Sequence, residues 1–226
     1  VLALYWRLPH RGQNWLLLVS SYVFYAAWDW RFMGLLAATT LVTAWCGRRL
    51  GDSRASGRGR ALAAGLVFNL LALGFFKYYN FFADNLRLLF GLVGWHPDFF
   101  TLNVLLPIGI SFYTFMAMSY LVDVYRREIP PAEHLLDFGV FIAYFPHLVA
   151  GPILRASLLI PQIERRRALL RAQVTEGGWL ILWGLFKKMF VADNLARVAE
   201  GVFSGGAQPG GLDVLFGVYA FAERYL

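Results

Sequence analysis

The feature that most constrains this chain is a series of long apolar segments separated by short clusters of arginine. The apolar segments cover residues 15–30, 32–46, 61–82, 99–125, 138–153, 178–192 and 212–222. A helix needs about 20 residues to cross a bilayer, and no segment shows the sustained alternation of a strand. Charged residues make up only 15% of the chain, below the roughly 25% that is usual in soluble domains. The pattern predicts an all-α, polytopic transmembrane helical protein.

The arginine clusters predict how the segments are oriented, because basic loops stay on the cytoplasmic side of a membrane. The loop at 47–60 is rich in arginine and is expected inside, whereas the loop at 83–98 carries only Arg87 and is expected outside. Arg126 and Arg127 then fall inside, and so does the next cluster, at 155–171. Segment 138–153 therefore leaves the cytoplasm and returns to it. We expect a re-entrant segment there.

The stretch at 144–155, YFPHLVAGPILR, contains the break that a re-entrant segment needs. Pro146 and Pro152 disfavour one unbroken helix, and irregular backbone at membrane depth is tolerated only where protein or a wet cavity surrounds it. His147 lies in this break, and an ionisable residue at membrane depth is a candidate functional residue. It could act as a general base. The alternative is a histidine that is hydrogen-bonded inside a helix bundle.

Several other function classes have little support in the sequence. The net charge of +7 could suggest nucleic-acid binding, but the arginines lie between apolar runs, where topology explains them better, so no nucleic acid is expected. Cys46 is the single cysteine, which rules out an intramolecular disulfide and indicates a small buried apolar residue. No HExxH, GxSxG, CxxC or GxxxxGK[ST] pattern occurs. We therefore expect neither a metal nor a bound cofactor.

Five stretches of the chain resemble a known family. They are WLLLVSSYVFYAAWDWRFMGLL at 15–36, NLLALGFFKYYNFF at 69–82, LPIGISFYTFMAMSYLVDVYRRE at 106–128, YFPHLVAGPILR at 144–155 and GLFKKMFVADNLA at 184–196. In this order they are similar to the membrane-bound O-acyltransferase (MBOAT) family, and within it to the bacterial alginate O-acetylase branch.

The resemblance implies a multi-pass enzyme of the cytoplasmic (inner) membrane that takes part in exopolysaccharide or alginate biosynthesis. Such enzymes transfer an acetyl group from a cytoplasmic thioester donor, acetyl-CoA or a similar acyl thioester, towards an extracytoplasmic polysaccharide such as alginate. The partners that it implies are the lipid bilayer, the polysaccharide acceptor pathway and a periplasmic protein of the SGNH-hydrolase type.

The resemblance also suggests roles for particular residues. His147 lies in a family motif and would serve as an accessory base or line the substrate path. Arg155 and the cluster Arg165, Arg166 and Arg167 could bind the phosphates of a CoA-like donor. The alternative reading of these arginines is as topology determinants and contacts to anionic lipid.

The sequence departs from the family at its end. The family's principal active-site histidine lies in a later apolar segment, and none of His10, His96, His134 and His147 matches that position. We therefore expect residues 1–226 to be a single membrane domain, the truncated N-terminal part of a longer acyltransferase, and inactive alone.

Three alternative functions stay open at this point. One is D-alanyl transfer towards teichoic acids, which lies in the same family. The others are a non-catalytic membrane scaffold and a transporter with His147 on a solute path. Transporters often contain repeated broken helices, whereas this sequence has one broken segment and no internal repeat.

Overall fold

The computed structural model describes residues 1–52, 57–92, 104–148, 153–204 and 210–223. Every regular element in these ranges is helical, which confirms the predicted all-α class. The helices are α1 (Leu2–Tyr5), α2 (His10–Asp29), α3 (Met33–Gly51), α4 (Arg58–Leu92), α5 (Ile110–Arg126), α6 (Leu135–Ala143), α7 (Phe145–Leu148), α8 (Ala156–Glu164), α9 (Arg171–Phe186), α10 (Asp193–Ser204) and α11 (Gly211–Glu223). They form two compact units, Val1–Arg167 and Ala168–Leu226.

The first three predicted apolar segments correspond to α2, α3 and α4. A 3₁₀ turn, Trp30–Phe32, separates α2 from α3, and the Asp29 side chain accepts a hydrogen bond from the Arg31 backbone N–H at 3.0 Å across it. Among the described helices, α4 alone is long and apolar enough to cross a membrane, and protein buries only 17% of its most apolar stretch. The prediction of several membrane passages goes beyond what the described helices establish.

Helix α5 is shorter than the apolar segment that predicted it. The segment began at residue 99, but the helix begins at Ile110, and residues 93–103 lie outside the described part. The reason is local. Gly109 has φ +77°, a left-handed conformation that glycine adopts without steric cost, and Pro107 lacks the N–H that an earlier turn of helix would use.

The core of the first unit forms around α5, which packs against α3, α4, α6 and α8. Tyr120 lies at its centre, with its ring 4.6 Å from that of Phe138 and its hydroxyl accepting the Ala132 N–H at 3.1 Å. Cys46 is fully buried among these helices, as its place in the sequence predicted. The α5 side chains thus fix where α6 runs.

Residues 132–155 begin and end beside the same end of α5. The Ala132 backbone N–H donates a hydrogen bond to the Tyr120 hydroxyl. Arg155 lines the same groove as Asp123 and Arg126, near the C-terminus of α5. Between them, Leu148 lies against Gly109, at the other end of this helix of 17 residues, which is about 25 Å long. Residues 132–148 therefore extend along most of α5, and residues 153–155 again lie beside its C-terminal end. Of the two prolines of the predicted break, Pro146 lies in α7 and Pro152 lies outside the described residues.

The second unit contains α9, a π-helical segment Lys187–Ala192, α10 and α11. α10 and α11 pack together, with Gly217 against the side chain of Val202. Lys188 forms an ion pair with Asp193 across the π-helical segment. All of α9 lacks buried residues, so its large apolar side chains face outward from this unit.

Candidate functional site

His147 lies on a short helical turn between two breaks in the backbone. Tyr144 has ψ 106° and ends α6, because this angle is incompatible with a continuing helix. The His147 backbone N–H donates to the Tyr144 carbonyl at 3.2 Å, and the two rings lie 5.1 Å apart. Only 6% of the His147 surface is exposed, and no described residue forms a hydrogen bond with its Nε2 atom. The imidazole is thus buried with one nitrogen available.

Ser21 of α2 supports the near end of this turn. Its hydroxyl donates to the Leu17 carbonyl at 2.7 Å and accepts the Phe145 backbone N–H at 3.1 Å. Phe24, one turn later on the same face, packs its ring 5.9 Å from the ring of Phe145. The first peptide of α7 is therefore attached to α2 by one polar and one aromatic contact.

Gly109 supports the far end of the turn. A Cβ atom added at this glycine would overlap the carbonyl oxygen of Leu148, closer than real Cβ atoms approach an oxygen. Only glycine permits this contact, and only glycine adopts the positive φ of residue 109 without steric cost. Two of the stretches that carry the family resemblance, at 106–128 and 144–155, thus meet at their glycine and histidine turns.

Two buried tyrosines lie one helical turn from these supports. Tyr25 follows Ser21 on α2, and Tyr113 follows Gly109 on α5. Each is 1% exposed, and their side chains interact with each other. Neither hydroxyl has a protein partner in standard hydrogen-bond geometry within the described residues. These two hydroxyls and Nε2 of His147 are therefore buried polar atoms that remain able to bond a hydroxyl or carbonyl group.

A groove of about 710 Å³ lies between α5 and the start of α8. Apolar side chains such as Met118 and Val122 form its wall, and Asp123, Arg126 and Arg155 lie at one end. This volume is in the range of small-molecule sites. Of the four arginines predicted to bind a donor, the groove contains Arg155 alone.

Arg167 lies in a polar network with residues of α2 and α8. Its guanidinium donates to Asn14 Oδ1 at 2.7 Å and to the Ile163 carbonyl at 3.1 Å, and it lies 5.6 Å above the ring of Tyr5. Asn14 in turn donates to Asp137 Oδ1 at 2.6 Å. Three positions far apart in sequence are joined by this buried network, which ties α2 to α6 and to the chain after α8.

Arg165 and Arg166 are exposed on the extended stretch that follows α8. Helix α8 has nine residues and separates them from Arg155 by about 13 Å. The structure therefore distributes the four arginines over three environments, namely a groove, an exposed stretch and a buried network. Their proposed contact with donor phosphates stays a prediction.

Sequence reasoning missed a second, polar cleft of about 510 Å³ between α2, α6 and the end of α8. Its walls include Glu133, Asp137 and Glu164, together with His10, whose Nε2 donates to the Ile163 carbonyl at 2.9 Å. Burial, and then the negative charges of Asp137 and Glu133, raise the pKa of Glu164 above its usual range. No group of three ligands suited to a metal occurs in the described part of the chain. Polar residues at 10, 14 and 137 inside or beside apolar segments were the signal for this cleft.

Comparison with known proteins gives the context for this geometry. The chain is 44% identical over 205 residues to a protein of Azotobacter vinelandii named probable alginate O-acetylase AlgI. The aligned residues cover 90% of this chain and 41% of that protein. A Pseudomonas aeruginosa protein of the same name is 43% identical, again over 90% of this chain and over 39% of its own length. The resemblance to the alginate O-acetylase branch of the membrane-bound O-acyltransferase family is confirmed.

A third relative extends the acceptor chemistry of the group. It is named peptidoglycan O-acetyltransferase, from Helicobacter pylori, and is 31% identical over 88% of this chain and 42% of its own length. The chain thus spans about two fifths of each of these relatives. No family model matches the chain, and no solved structure matches it.

Proposed function

We propose that this chain is part of a membrane-bound O-acetyltransferase that transfers an acetyl group from a cytoplasmic thioester, such as acetyl-CoA, towards an extracytoplasmic polysaccharide such as alginate. The observation that carries the proposal is the identity of 44% over 90% of the chain to a probable alginate O-acetylase. The relatives share O-acetyl transfer to polysaccharides in their names. The chain itself would be the N-terminal part of the enzyme.

The arrangement around α5 supports a re-entrant segment from the cytoplasmic side. Both ends of residues 132–155 lie near the end of α5 that carries Arg126 and Arg127, and the positive-inside rule assigns that end to the cytoplasm. The turn with His147 lies far along α5 from this end. In a membrane, such a segment would bring a titratable side chain from the cytoplasmic face deep into the protein. The corresponding localisation is the inner membrane, with several passages.

The groove beside α5 suggests how the donor reaches this depth. Arg126 and Arg155 lie at its cytoplasmic end, and guanidinium groups bind phosphates through paired charge-assisted hydrogen bonds. The apolar wall with Met118 and Val122 then suits a pantetheine-like arm. Arg126 also lies 3.7 Å from Glu128 at the surface, a pair too weak to prevent binding of a phosphate. Of the four predicted arginines, Arg155 is therefore the one best placed to bind the phosphates of the acetyl donor.

The reaction itself is acyl transfer without a metal. A base removes the proton of the acceptor hydroxyl, the oxygen attacks the thioester carbonyl, the C–S bond breaks, and the sulfur leaves as thiolate and is protonated. Nε2 of His147 is buried and has no partner among the described residues, so it can accept a hydrogen bond from a hydroxyl group. We assign it the accessory role of orienting or deprotonating that hydroxyl. The principal base would lie in the family's later apolar segment.

Peptidoglycan is a second candidate acceptor, because one relative bears that name. The higher identity to the alginate enzymes favours alginate. In either case the acetyl group must reach a polymer outside the membrane. A periplasmic protein of the SGNH-hydrolase type is the partner we propose for that final step.

Genetic replacement tests the proposal. The complete gene that encodes this chain is expressed in an alginate-producing host that lacks its own O-acetylase, and ester-linked acetate is measured separately in exported alginate and in peptidoglycan. We expect acetate to return to alginate, and His147→Gln to lower it by at least roughly tenfold at equal protein level, since general-base roles are worth about 10²–10⁴ in rate. Acetate in peptidoglycan alone would transfer the assignment to the second acceptor, and acetate in neither would refute the proposal.

A further inference from the structure

We propose that Ser21 is a positioning residue for acyl transfer: its hydroxyl, bonded to α2 on one side and to α7 on the other, fixes the orientation of His147. The inference rests on the proposed function, because it concerns the same histidine. It assigns a role to a serine that lies 126 positions away in sequence and has no part in the chemistry.

The turn with His147 cannot hold its own conformation. α7 has four residues, and an isolated turn of helix is unstable because few hydrogen bonds compensate for its ordering. The first N–H groups of any helix also lack partners within it. The N–H of Phe145 is such a group, and Pro146 has none to offer. An external acceptor is therefore needed, and Ser21 Oγ is that acceptor at 3.1 Å.

The Ser21 side chain is suited to this task because it is itself fixed. It is completely buried, and its hydroxyl proton is directed to the Leu17 carbonyl at 2.7 Å. A hydroxyl has one proton and two acceptor positions. With the proton held by α2, an acceptor position faces the Phe145 N–H. The bond thus transmits the position of a 20-residue helix to the turn.

The imidazole depends on its backbone for its orientation. No described residue bonds to Nε2 of His147, and the ring contact with Tyr144 comes from the same short stretch. Gly109 blocks movement at the far end, through the Leu148 carbonyl. At the near end, the bond to Ser21 and the contact between Phe24 and Phe145 are the supports described. Loss of the hydroxyl therefore releases one end of the turn while the other end stays in place.

The test uses the complete protein in inverted membrane vesicles, with radiolabelled acetyl-CoA as the probe and acetate in the polymer as the readout. The variants are Ser21→Ala, Ser21→Thr, His147→Gln and the double variant Ser21→Ala/His147→Gln. The control is Ser20→Ala, on the same helix but only half-buried. Initial rates at several acetyl-CoA concentrations, divided by the protein level, give kcat and KM.

We expect Ser21→Ala to lower kcat at least roughly tenfold with KM for acetyl-CoA unchanged, because small misplacements of a reacting group have effects of this size. Ser21→Thr, which keeps the hydroxyl, should recover most of the rate, and Ser20→Ala should behave as wild type. The double variant should be no slower than His147→Gln, since two residues that act through one group are not additive. If Ser21→Ala does not accumulate in membranes, Ser21→Thr and Ser21→Cys provide the comparison, with the cysteine variant slow and the threonine variant fast.

Two results would overturn the inference and leave the proposed function intact. One is a normal kcat for Ser21→Ala when His147→Gln is slow. The other is a double variant that is slower than His147→Gln by the full effect of Ser21→Ala, which would mean that the serine acts on general packing. A normal rate for His147→Gln would instead remove the role of the histidine, and with it the role of Ser21.

Discussion

Substitution of Gly109 by alanine should abolish most of the proposed acetyl transfer while leaving the helices in place. The added methyl group meets the Leu148 carbonyl oxygen, which belongs to the backbone and cannot rotate away. In addition, the residue has φ +77°, a conformation that costs an L-residue roughly 1–2 kcal/mol. The glycine and the turn with His147 would have to separate by roughly 1 Å, and misplacement by about 1 Å can lower a rate about 10²-fold. We therefore expect acetyl transfer by Gly109→Ala to fall by about two orders of magnitude.

The measurement is acetate in exported polymer, at a protein level matched by immunoblot. Gly74→Ala is the control, because its Cβ would meet no atom within 4 Å and it lies inside helix α4, where alanine is favoured over glycine by about 1 kcal/mol. It should be fully active and at least as stable as wild type. Activity of Gly109→Ala within twofold of wild type would mean that the turn can shift without loss, and the positional argument for His147 would be refuted.

Four further predictions follow from the other contacts. Asn14→Ala removes the hydrogen-bond donor of the buried Asp137 carboxylate and one acceptor of Arg167. Because an unsatisfied buried group costs about 1–3 kcal/mol, the thermal midpoint in detergent should fall by several degrees; an unchanged midpoint would contradict the network. The raised pKa of Glu164 means that folding favours its protonated form, so this contribution to stability is present at low pH and is lost as pH rises through that pKa. Glu164→Gln should therefore raise the thermal midpoint at pH 7 but not at pH 4. A difference in midpoint that does not depend on pH would refute this reasoning. Arg155→Glu should raise KM for acetyl-CoA by at least roughly tenfold with little change in kcat, given the strength of charge-assisted bonds to phosphate; an unaltered KM would exclude this residue from the donor site. Cysteines at Ser157 and Leu88 in a cysteine-free background should react with an impermeant maleimide from the cytoplasmic and periplasmic side respectively, and labelling of both from one side would contradict the re-entrant topology.

The sequence predicted those parts of the fold that depend on local patterns. Runs of apolar residues located α2, α3 and α4, because helix formation at these positions follows from hydrophobicity over a single stretch. The start of α5 was placed too early, since the apolar run continues through Pro107 and Gly109 while the backbone does not stay helical there. Local composition thus identified the helices better than their boundaries.

The candidate site was predictable only in part, for a related reason. Its histidine was conspicuous as a titratable group next to Pro146 in an apolar run. Its supports were not, because Ser21 and Gly109 are ordinary residues until the chain brings them to the turn from 124 and 39 positions away. The same holds for Arg167, which the sequence predicted as a ligand of donor phosphates or a topology determinant and whose guanidinium donates a hydrogen bond to Asn14. Contacts between distant positions are set by packing, which no single stretch records.

The length of α4 has a consequence for the side of the membrane that faces the polymer. The helix has 35 residues, about 52 Å, whereas the hydrocarbon layer is about 30 Å thick. In the proposed topology, with Arg58 and Arg60 on the cytoplasmic side, residues 61–83 would span that layer, and residues 84–92 would extend about 13 Å beyond it on the periplasmic side. Leu88 and Leu92 lie in this extension, with 71% and 84% of their surface exposed. The periplasmic partner that we propose, if bound to this extension, would be held at a height above the membrane that the length of α4 sets, and shortening α4 by two turns would lower it by about 11 Å.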